Sequence, residues 1–417
     1  MIDTHNLPKD APVLLTLNHP GGFIDACVIA AYFPRPLFCL TRGDFFKKGI
    51  VTRFLNATHQ IPIFRAEDGM KSLRNNKQTF SRCFETLVEN KVLLIFPESW
   101  AIPEKKLRKL YNGAARIMFG THEEYPDLNP VIVPVGVTFT DASLFGRDVF
   151  FRYGKPISVE KYLDLHREDP KKAYNTVMKE IETALRSLMI LVDTDDKELI
   201  FDDAIILLET PVAEIPPLSD SPVALDWQIG IANEVNALND DDLNTLKKHI
   251  DEIKNVLDKV DLPFHIYPFL EDKRTSLFWL IISAPFLTTG KLIEAIPVWL
   301  TYRLVVNKIR KKVFIGPMKS MIGVFIHAFY YMIVTILLVA FLGSIGWLYG
   351  AIVALTGYFS LNQHRRPHLL HWFRWMRLSK SEKGLLKNHR KKIAETLSTS
   401  LPTVNPCPKD SFGENCV

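Results

Sequence analysis

Acidic residues are missing from one long stretch of this 417-residue chain. Between Glu294 and Glu382 there is no Asp or Glu, yet 11 Lys and Arg fall within those 87 residues. The whole chain carries a formal charge of +5, so everything outside the stretch sums to −6. An acidic part is joined to a basic, apolar one, which excludes a uniformly solvated single domain. Cysteine is scarce: Cys27, Cys39, Cys83, Cys407 and Cys416 are odd in number and widely spaced, with no C-x-x-C pair and no metal-ligand spacing. They read as reduced thiols in a cytosol-facing protein, not as a disulfide framework. The opening residues, MIDTHNLPKDAPVLL, lack the basic segment, apolar run and small-residue cleavage site of a signal peptide. No G-x-S-x-G string occurs, which disfavours a serine lipid hydrolase. At 23% charged residues with 27 Phe the chain is not disordered either.

What is present divides into five segments. Residues 1–192 alternate short apolar runs with helical patterns. Strands are expected at Val13–Leu17, Leu37–Leu40, Gln60–Phe64, Lys91–Phe96, Val131–Val137 and Val149–Tyr153, and helices at Asp25–Tyr32, Phe45–Asn56, Met70–Glu89 and Gly113–Thr121. Such alternation argues for an α/β fold with a mostly parallel sheet flanked by helices, whose strand ends carry the site. Residues 193–272 hold 20 acidic and 5 basic residues. In them Leu243, Leu246, Ile250, Ile253, Val256, Leu257 and Val260 recur at helical spacing behind Asp240 as the expected N-cap. This acidic helical segment is either a regulatory insert or a solvated spacer.

Within residues 320–363, Ser320 to Gln363 gives 44 consecutive residues without Lys, Arg, Asp or Glu. At about 1.5 Å per residue they would extend roughly 66 Å, about twice a hydrocarbon core of roughly 30 Å. Two crossings fit, broken at Gly343-Ser344-Ile345-Gly346 into Met321–Leu342 and Trp347–Leu361. This is a C-terminal transmembrane helical hairpin, and basic residues at both of its ends, but not at its turn, place the ends in the cytoplasm. Residues 273–319 are nearly as apolar, but Lys291, Glu294, Pro285 and Pro297 lie in the middle of Ser276–Val306. Charge at mid-depth is costly, so two short interfacial or re-entrant pieces are expected there. Residues 364–417 form a basic juxtamembrane segment and tail, with Trp372 and Trp375 expected at headgroup level.

The string with most chemistry is Leu14-Leu15-Thr16-Leu17-Asn18-His19-Pro20-Gly21-Gly22-Phe23-Ile24-Asp25. A β-run delivers His19 to a strand end, Pro20-Gly21-Gly22 turns the chain, and Asp25 falls where a helix begins. A carboxylate that accepts a hydrogen bond from one imidazole nitrogen leaves the other free to take a proton from a hydroxyl. A helix-capping Asp beside a satisfied His has the same pattern. Further strings follow in order: Ile61-Pro62-Ile63-Phe64-Arg65, Leu94-Ile95-Phe96-Pro97-Glu98-Ser99 and Val131-Ile132-Val133-Pro134-Val135. With these blocks the first 190 residues resemble the glycerolipid acyltransferase family that acylates glycerol-3-phosphate and lysophosphatidic acid, PlsC-like enzymes among them. Leu107–Ile117 resembles that family's segment between its third and fourth blocks.

The resemblance implies an O-acyltransferase of phospholipid biosynthesis that moves a fatty acyl group from acyl-CoA or acyl carrier protein to a glycerol-phosphate acceptor. It implies His19 as the general base and Asp25 as its orienting partner. Arg65 would hold the acceptor's phosphate with Phe64, Pro97, Glu98 and Ser99 lining the substrate, and Glu98 either contacts the acceptor or orders the site. Lys105, Lys106, Arg108 and Lys109 either attract phosphate or form a solvated face. No cofactor, metal or nucleic acid is expected; membrane phospholipids are the other partner, with the catalytic domain on the cytoplasmic face of the membrane. Two departures stand out. Five residues separate His19 from Asp25 where four are usual, and Ser99 stands where the family has Gly. The family's upstream apolar helix also has little room, since Met1 lies 18 residues before His19, so membrane contact falls to the C-terminal hairpin or the start is internal. Open alternatives are an inactive membrane scaffold of the same fold and a phospholipid-remodelling lysophospholipid acyltransferase.

Overall fold

The computed structural model describes residues 1–46, 49–64, 76–140, 149–208, 222–272, 276–309, 312–362 and 367–397. It divides the chain into two units: Met1–Leu191 with Thr289–Leu361, and Val192–Thr288 with Asn362–Val417.

The first unit is built on a seven-stranded sheet: β1 (Val13–Leu17), β2 (Leu37–Arg42), β3 (Gln60–Ile63), β4 (Val92–Ile95), β5 (Val131–Phe139), β6 (Val149–Tyr153) and β7 (Ile157–Ser158). The order is β3-β2-β4-β1-β5-β6, with β7 also paired to β5. The first five strands run parallel, while β6 and β7 pair antiparallel with β5. Central β1 is buried along its whole length, with Val13 between Val92 and Val131. This is why it reads as an unbroken apolar run and not as an alternation.

Successive side chains still point to opposite faces. Leu14, Leu93 and Ile132 pack with α3 (Asn76–Val88), α4 (Gly113–Glu124) and α5 (Pro170–Leu188), while Val13, Leu15, Leu94 and Val133 pack with Ile29 of α1 (Phe23–Tyr32). Helix α2 is shorter than its expected 45–56: it spans Ile50–Ala57 behind Gly49, whose φ of +121° breaks the helical path. Residues 70–75 of the expected third helix lie outside the described residues.

Beyond Leu191 the described residues are mostly helical, with α6 (Asp195–Leu208), α7 (Val223–Ala237), α8 (Asp240–Asp258), α9 (Leu277–Val305), α10 (Lys312–Leu342), α11 (Gly346–Asn362), α12 (Leu369–Arg377) and α13 (Lys380–Thr396). The acidic segment is not a spacer in this structure. Leu246, Ile250, Ile253, Val256 and Leu257 of α8 are buried, as are Leu386 and Ile393 of α13, the helix that α8 packs against. The N-cap of α8 is Asn239, one residue before the expected Asp240; its side chain accepts from the Asp242 amide. Opposite charges from distant parts of the chain meet in this unit. Arg390 on α13 pairs with Glu271 at 3.0 Å and Asp272 at 2.7 Å and donates to the Leu207 carbonyl, while Lys254 pairs with Asp203 at 2.6 Å.

Among the described residues two candidate spans are long and apolar enough to cross a membrane, Leu277–Val305 and Met318–Leu361. In place of two short pieces, α9 is one continuous helix through Pro285, Glu294 and Pro297. What makes the mid-helix charge tolerable is its environment. Glu294 is 3% exposed and accepts from the Tyr331 hydroxyl, and its second oxygen lies 2.7 Å from Nε2 of His327. Nδ1 of His327 is 2.7 Å from the Gly323 carbonyl, which can only accept, so Nδ1 carries a hydrogen. Small residues let these helices approach: Gly290 lies against Thr356 and Ser360, Gly323 against Thr301, and Gly350 against Thr335. The outward faces are apolar, with Val324, Phe325, Phe329, Phe341, Trp347 and Leu355 all exposed. Removing the acceptor by Glu294→Ala should lower the stability of the detergent-solubilised protein by about 1–2 kcal/mol. Glu294→Gln, which can accept from Tyr331 and donate to His327, should lose roughly half as much or less. Thermal unfolding of the two variants side by side checks this; equal losses would mean that shape alone holds the helices.

Candidate active site

Because β1 to β4 are parallel, their C-terminal ends converge on one edge of the sheet, and each is followed by a residue of interest. At the end of β1, Asn18 is buried and bonded both ways to Val137 of β5: its amide donates to the carbonyl at 2.8 Å, and its oxygen accepts from the N–H at 2.6 Å. This double bond fixes the departure point of the next residue. His19 then leaves the sheet with its ring stacked on Phe96, centroids 3.8 Å apart. Its Nδ1 lies 2.9 Å from Oδ2 of Asp25, and the Gly21 N–H donates to the same oxygen at 3.0 Å. Nδ1 is thus committed to the carboxylate, and Nε2 is the ring nitrogen left for a substrate.

The extra residue between His19 and Asp25 is absorbed at the turn. Gly22 has φ +68° and ψ −141° and caps α1, and a side chain at Gly21 would run into Asp25, Ile24 and Phe139. Asp25 lies in the first turn of α1 and is fully buried, and its Oδ1 has no hydrogen-bond partner. Burial pushes its carboxyl above the ordinary range, against the downward pull of His19 and the Gly21 amide.

Glu98, after β4, is 6% exposed and faces inward toward backbone. One oxygen accepts from the His19 N–H at 3.0 Å and the other from the Arg108 N–H at 3.4 Å. Of the two roles open for it, the geometry displays the ordering one: it ties the His19 turn to the loop before α4. Pro97 is buried and its carbonyl accepts from Tyr111, closing the same loop. Ser99 has φ +65°, the left-handed region that favours glycine, which accounts for the Gly expected at this place. Phe64, after β3, is half-buried and held by Asn76, which accepts from its N–H at 2.9 Å and donates to its carbonyl at 2.7 Å. Arg65 lies outside the described residues. In the basic run, Arg108 pairs with Glu104 at 2.6 Å, which favours a solvated face at that position.

Two residues escaped the sequence reading. Asn18 is the first letter of the N-H block, but its clamp on β5 is a contact across 119 positions. Arg42 ends β2 as Arg65 follows β3; its guanidinium lies between the rings of Phe45 and Trp100, at 5.4 and 5.5 Å, and pairs with Asp44. The strand-end logic applied to Arg65 could have found it.

Residues 1–138 match the protein family Acyltransferase. Glycerol-3-phosphate O-acyltransferase 1 of Saccharomyces cerevisiae is 28% identical over 109 residues, 26% of this chain and 14% of that protein. Glycerol-3-phosphate O-acyltransferase 2 of the same yeast is 26% identical over 115 residues, 27% of this chain and 16% of that protein. Through this domain the chain resembles glycerolipid acyltransferases. It spans about a seventh of the length of these curated relatives. The crystal structure of the 1-acyl-sn-glycerophosphate acyltransferase PlsC from Thermotoga maritima aligns with a TM-score of 0.30 and 18% identity, over 43% of this chain and 69% of that one.

Two outcomes follow for this candidate site. Replacing Ser99 with Gly removes the left-handed strain and should raise stability by about 1 kcal/mol, read as a higher unfolding midpoint; an unchanged or lower midpoint would mean that the Ser side chain compensates. Burial also pushes the Glu98 carboxyl above its ordinary range, against the amides of His19 and Arg108 and their charges. A carboxyl raised in the fold favours the protonated form, so its stabilising contribution is complete below the unfolded value of about 4.3 and is lost as pH rises through the folded one. The unfolding temperature of the wild type minus that of Glu98→Gln should therefore fall as pH rises through that window. A difference independent of pH would contradict it.

Proposed function

We propose that this chain is a membrane-held O-acyltransferase. It moves a fatty acyl group from a thioester, acyl-CoA or acyl carrier protein, to a hydroxyl of a glycerol-phosphate acceptor. The observation that carries the reading is the 2.9 Å contact between His19 Nδ1 and the buried Asp25, with Nε2 left open. An alcohol is a poor nucleophile at neutral pH because it holds its proton. Nε2 takes that proton as the oxygen attacks the thioester carbonyl. The tetrahedral intermediate then collapses, the C–S bond breaks, and the imidazolium returns the proton to the departing sulfur. No Ser or Cys nucleophile is required, since the thioester is already activated. Asp25 orients the ring and meets the charge that forms on it, and Phe96 and Glu98 hold the ring and its backbone in place.

Arg65 is proposed to hold the acceptor's phosphate with Phe64, Pro97, Glu98 and Ser99 beside it. Glycerol-3-phosphate is favoured over lysophosphatidic acid because the yeast relatives matched over the domain are named for it. The inactive-scaffold alternative is disfavoured by the intact dyad: a chain that had lost its chemistry would have no need to keep a carboxylate buried beneath a histidine. Helices α9, α10 and α11 supply the membrane attachment, and the basic residues flanking the 44-residue run support cytoplasmic ends.

Purified protein in lipid vesicles, given labelled acyl-CoA or acyl carrier protein and either acceptor, should form the acylated product. His19→Ala should reduce kcat by about 10²–10⁴-fold with folding retained. Equal product yield from wild type and variant with every acceptor would end the assignment, and the acceptor giving the higher kcat/KM decides between the two.

A further inference from the structure

Helix α12 (Leu369–Arg377) presents an apolar stripe to the outside. Leu370, Phe373 and Met376 recur every third residue and are 50%, 51% and 53% exposed, and Arg377 and Lys380 beside them are exposed as well. The opposite side is anchored within its own unit. His371 and Leu378 are buried, Trp375 packs 6.0 Å from Tyr267 with the Lys383 ammonium 4.9 Å from its ring, and Arg374 pairs with Asp261. Trp375, expected at headgroup level, is therefore turned inward, and the outward apolar groups are the three that a tryptophan-based reading passes over.

The chain itself indicates what covers this stripe. α11, the last apolar helix of the uncharged run, ends at Asn362, and α12 begins seven residues later. Seven Cα steps reach at most about 25 Å, less than a hydrocarbon core of roughly 30 Å. If α11 crosses a bilayer, α12 is confined to the interface at which α11 leaves it. The charge agrees with an anionic surface: no Asp or Glu occurs between Glu294 and Glu382, and α12 carries Arg374 and Arg377. A short helix with an apolar stripe, basic edges and a membrane span beside it in sequence has the makings of an in-plane anchor.

We propose that α12 lies in the membrane plane as a second anchor, with Leu370, Phe373 and Met376 at the boundary between headgroups and acyl chains and Arg377 and Lys380 among anionic lipid phosphates. The proposal rests on the membrane-spanning reading above. It gives the helical unit, which shares α12, a lipid contact of its own.

The test places a fluorophore sensitive to polarity on single cysteines of the full-length protein in vesicles. Cys27, Cys407 and Cys416 are replaced by Ser; Cys39 and Cys83 are buried, and burial pushes their thiols up to about 12, so they stay unlabelled. Labels go on F373C, on F325C in the exposed apolar face of α10, and on K391C in the exposed face of α13. Quenching is read with lipids carrying a spin label near the headgroup or near the chain end. F373C should be quenched more by the shallow label than by the deep one, and roughly twofold or more above K391C. Omitting phosphatidylglycerol from phosphatidylcholine vesicles should reduce this. If F325C is quenched by the deep label and F373C no more than K391C, the anchor is wrong while the spans stand. Blue-shifted F373C emission without lipid quenching would mean that a protein surface, a second copy included, covers the stripe, which also overturns it. If F325C is not quenched, the spanning reading fails and the anchor falls with it.

Discussion

The site depends on a carboxylate cut off from water. Asp25 is fully buried, two hydrogen bonds converge on one of its oxygens, and the other has none. Ionised, such a group lacks the solvation it would have in solvent, and the nearest remedy is positive charge on the imidazole 2.9 Å away. In the proposed reaction that charge arises when His19 accepts a proton from a hydroxyl. The burial that makes Asp25 an expensive residue in the resting protein thus favours the state through which the proposed acyl transfer would pass, because the ion pair would be stronger in the transition state than before it. Asn18, Gly21, Gly22, Phe96 and Glu98 serve this one contact: they fix where His19 leaves the sheet, how tightly the chain turns, and which way the ring faces.

How far the sequence revealed this follows from the range of the contacts. His19 and Asp25 are six positions apart, and a strand end, a Pro-Gly-Gly turn and a helix start leave few ways to arrange them. That pair was therefore legible. Six of the seven strands were legible too, because a buried strand is a short run of large apolar side chains, and their observed bounds differ from those expected by at most two residues; the two-residue β7 is too short to leave such a run. Glu98 reaches His19 across 79 positions and Arg108 across 10, and both partners are backbone amides, which carry no side-chain signature. Its oxygens could therefore be read as facing a substrate. The left-handed backbone at Ser99 was hidden for a related reason: serine conceals a conformation that a glycine would have announced.

The same limit governed the second half of the chain. Composition separated an acidic segment from a basic tail, but it could not show that the two fold together, since nothing periodic links Glu271 and Asp272 to Arg390. In α9, Glu294 argued for a break because a lone charge at mid-helix is costly in an apolar medium. The argument was sound for a lone charge, and what defeated it was His327 and Tyr331, supplied by α10.

Two pairs of a buried carboxylate and an imidazole thus occur among the described residues with opposite consequences. In both, a buried carboxylate oxygen faces a ring nitrogen at hydrogen-bond distance, 2.9 Å for Asp25 with His19 and 2.7 Å for Glu294 with His327. They differ in the fate of the second ring nitrogen. In His327 it is spent on the Gly323 carbonyl of the preceding helical turn, and with Nε2 facing Glu294 neither nitrogen is left for an outside partner. In His19 the ring projects from a turn and not from a helix interior, no carbonyl of a preceding turn lies beneath it, and Nε2 is left open. A histidine within a helix tends to be consumed by its own backbone. One delivered by a strand end is not, and the proposed general base follows β1 for that reason.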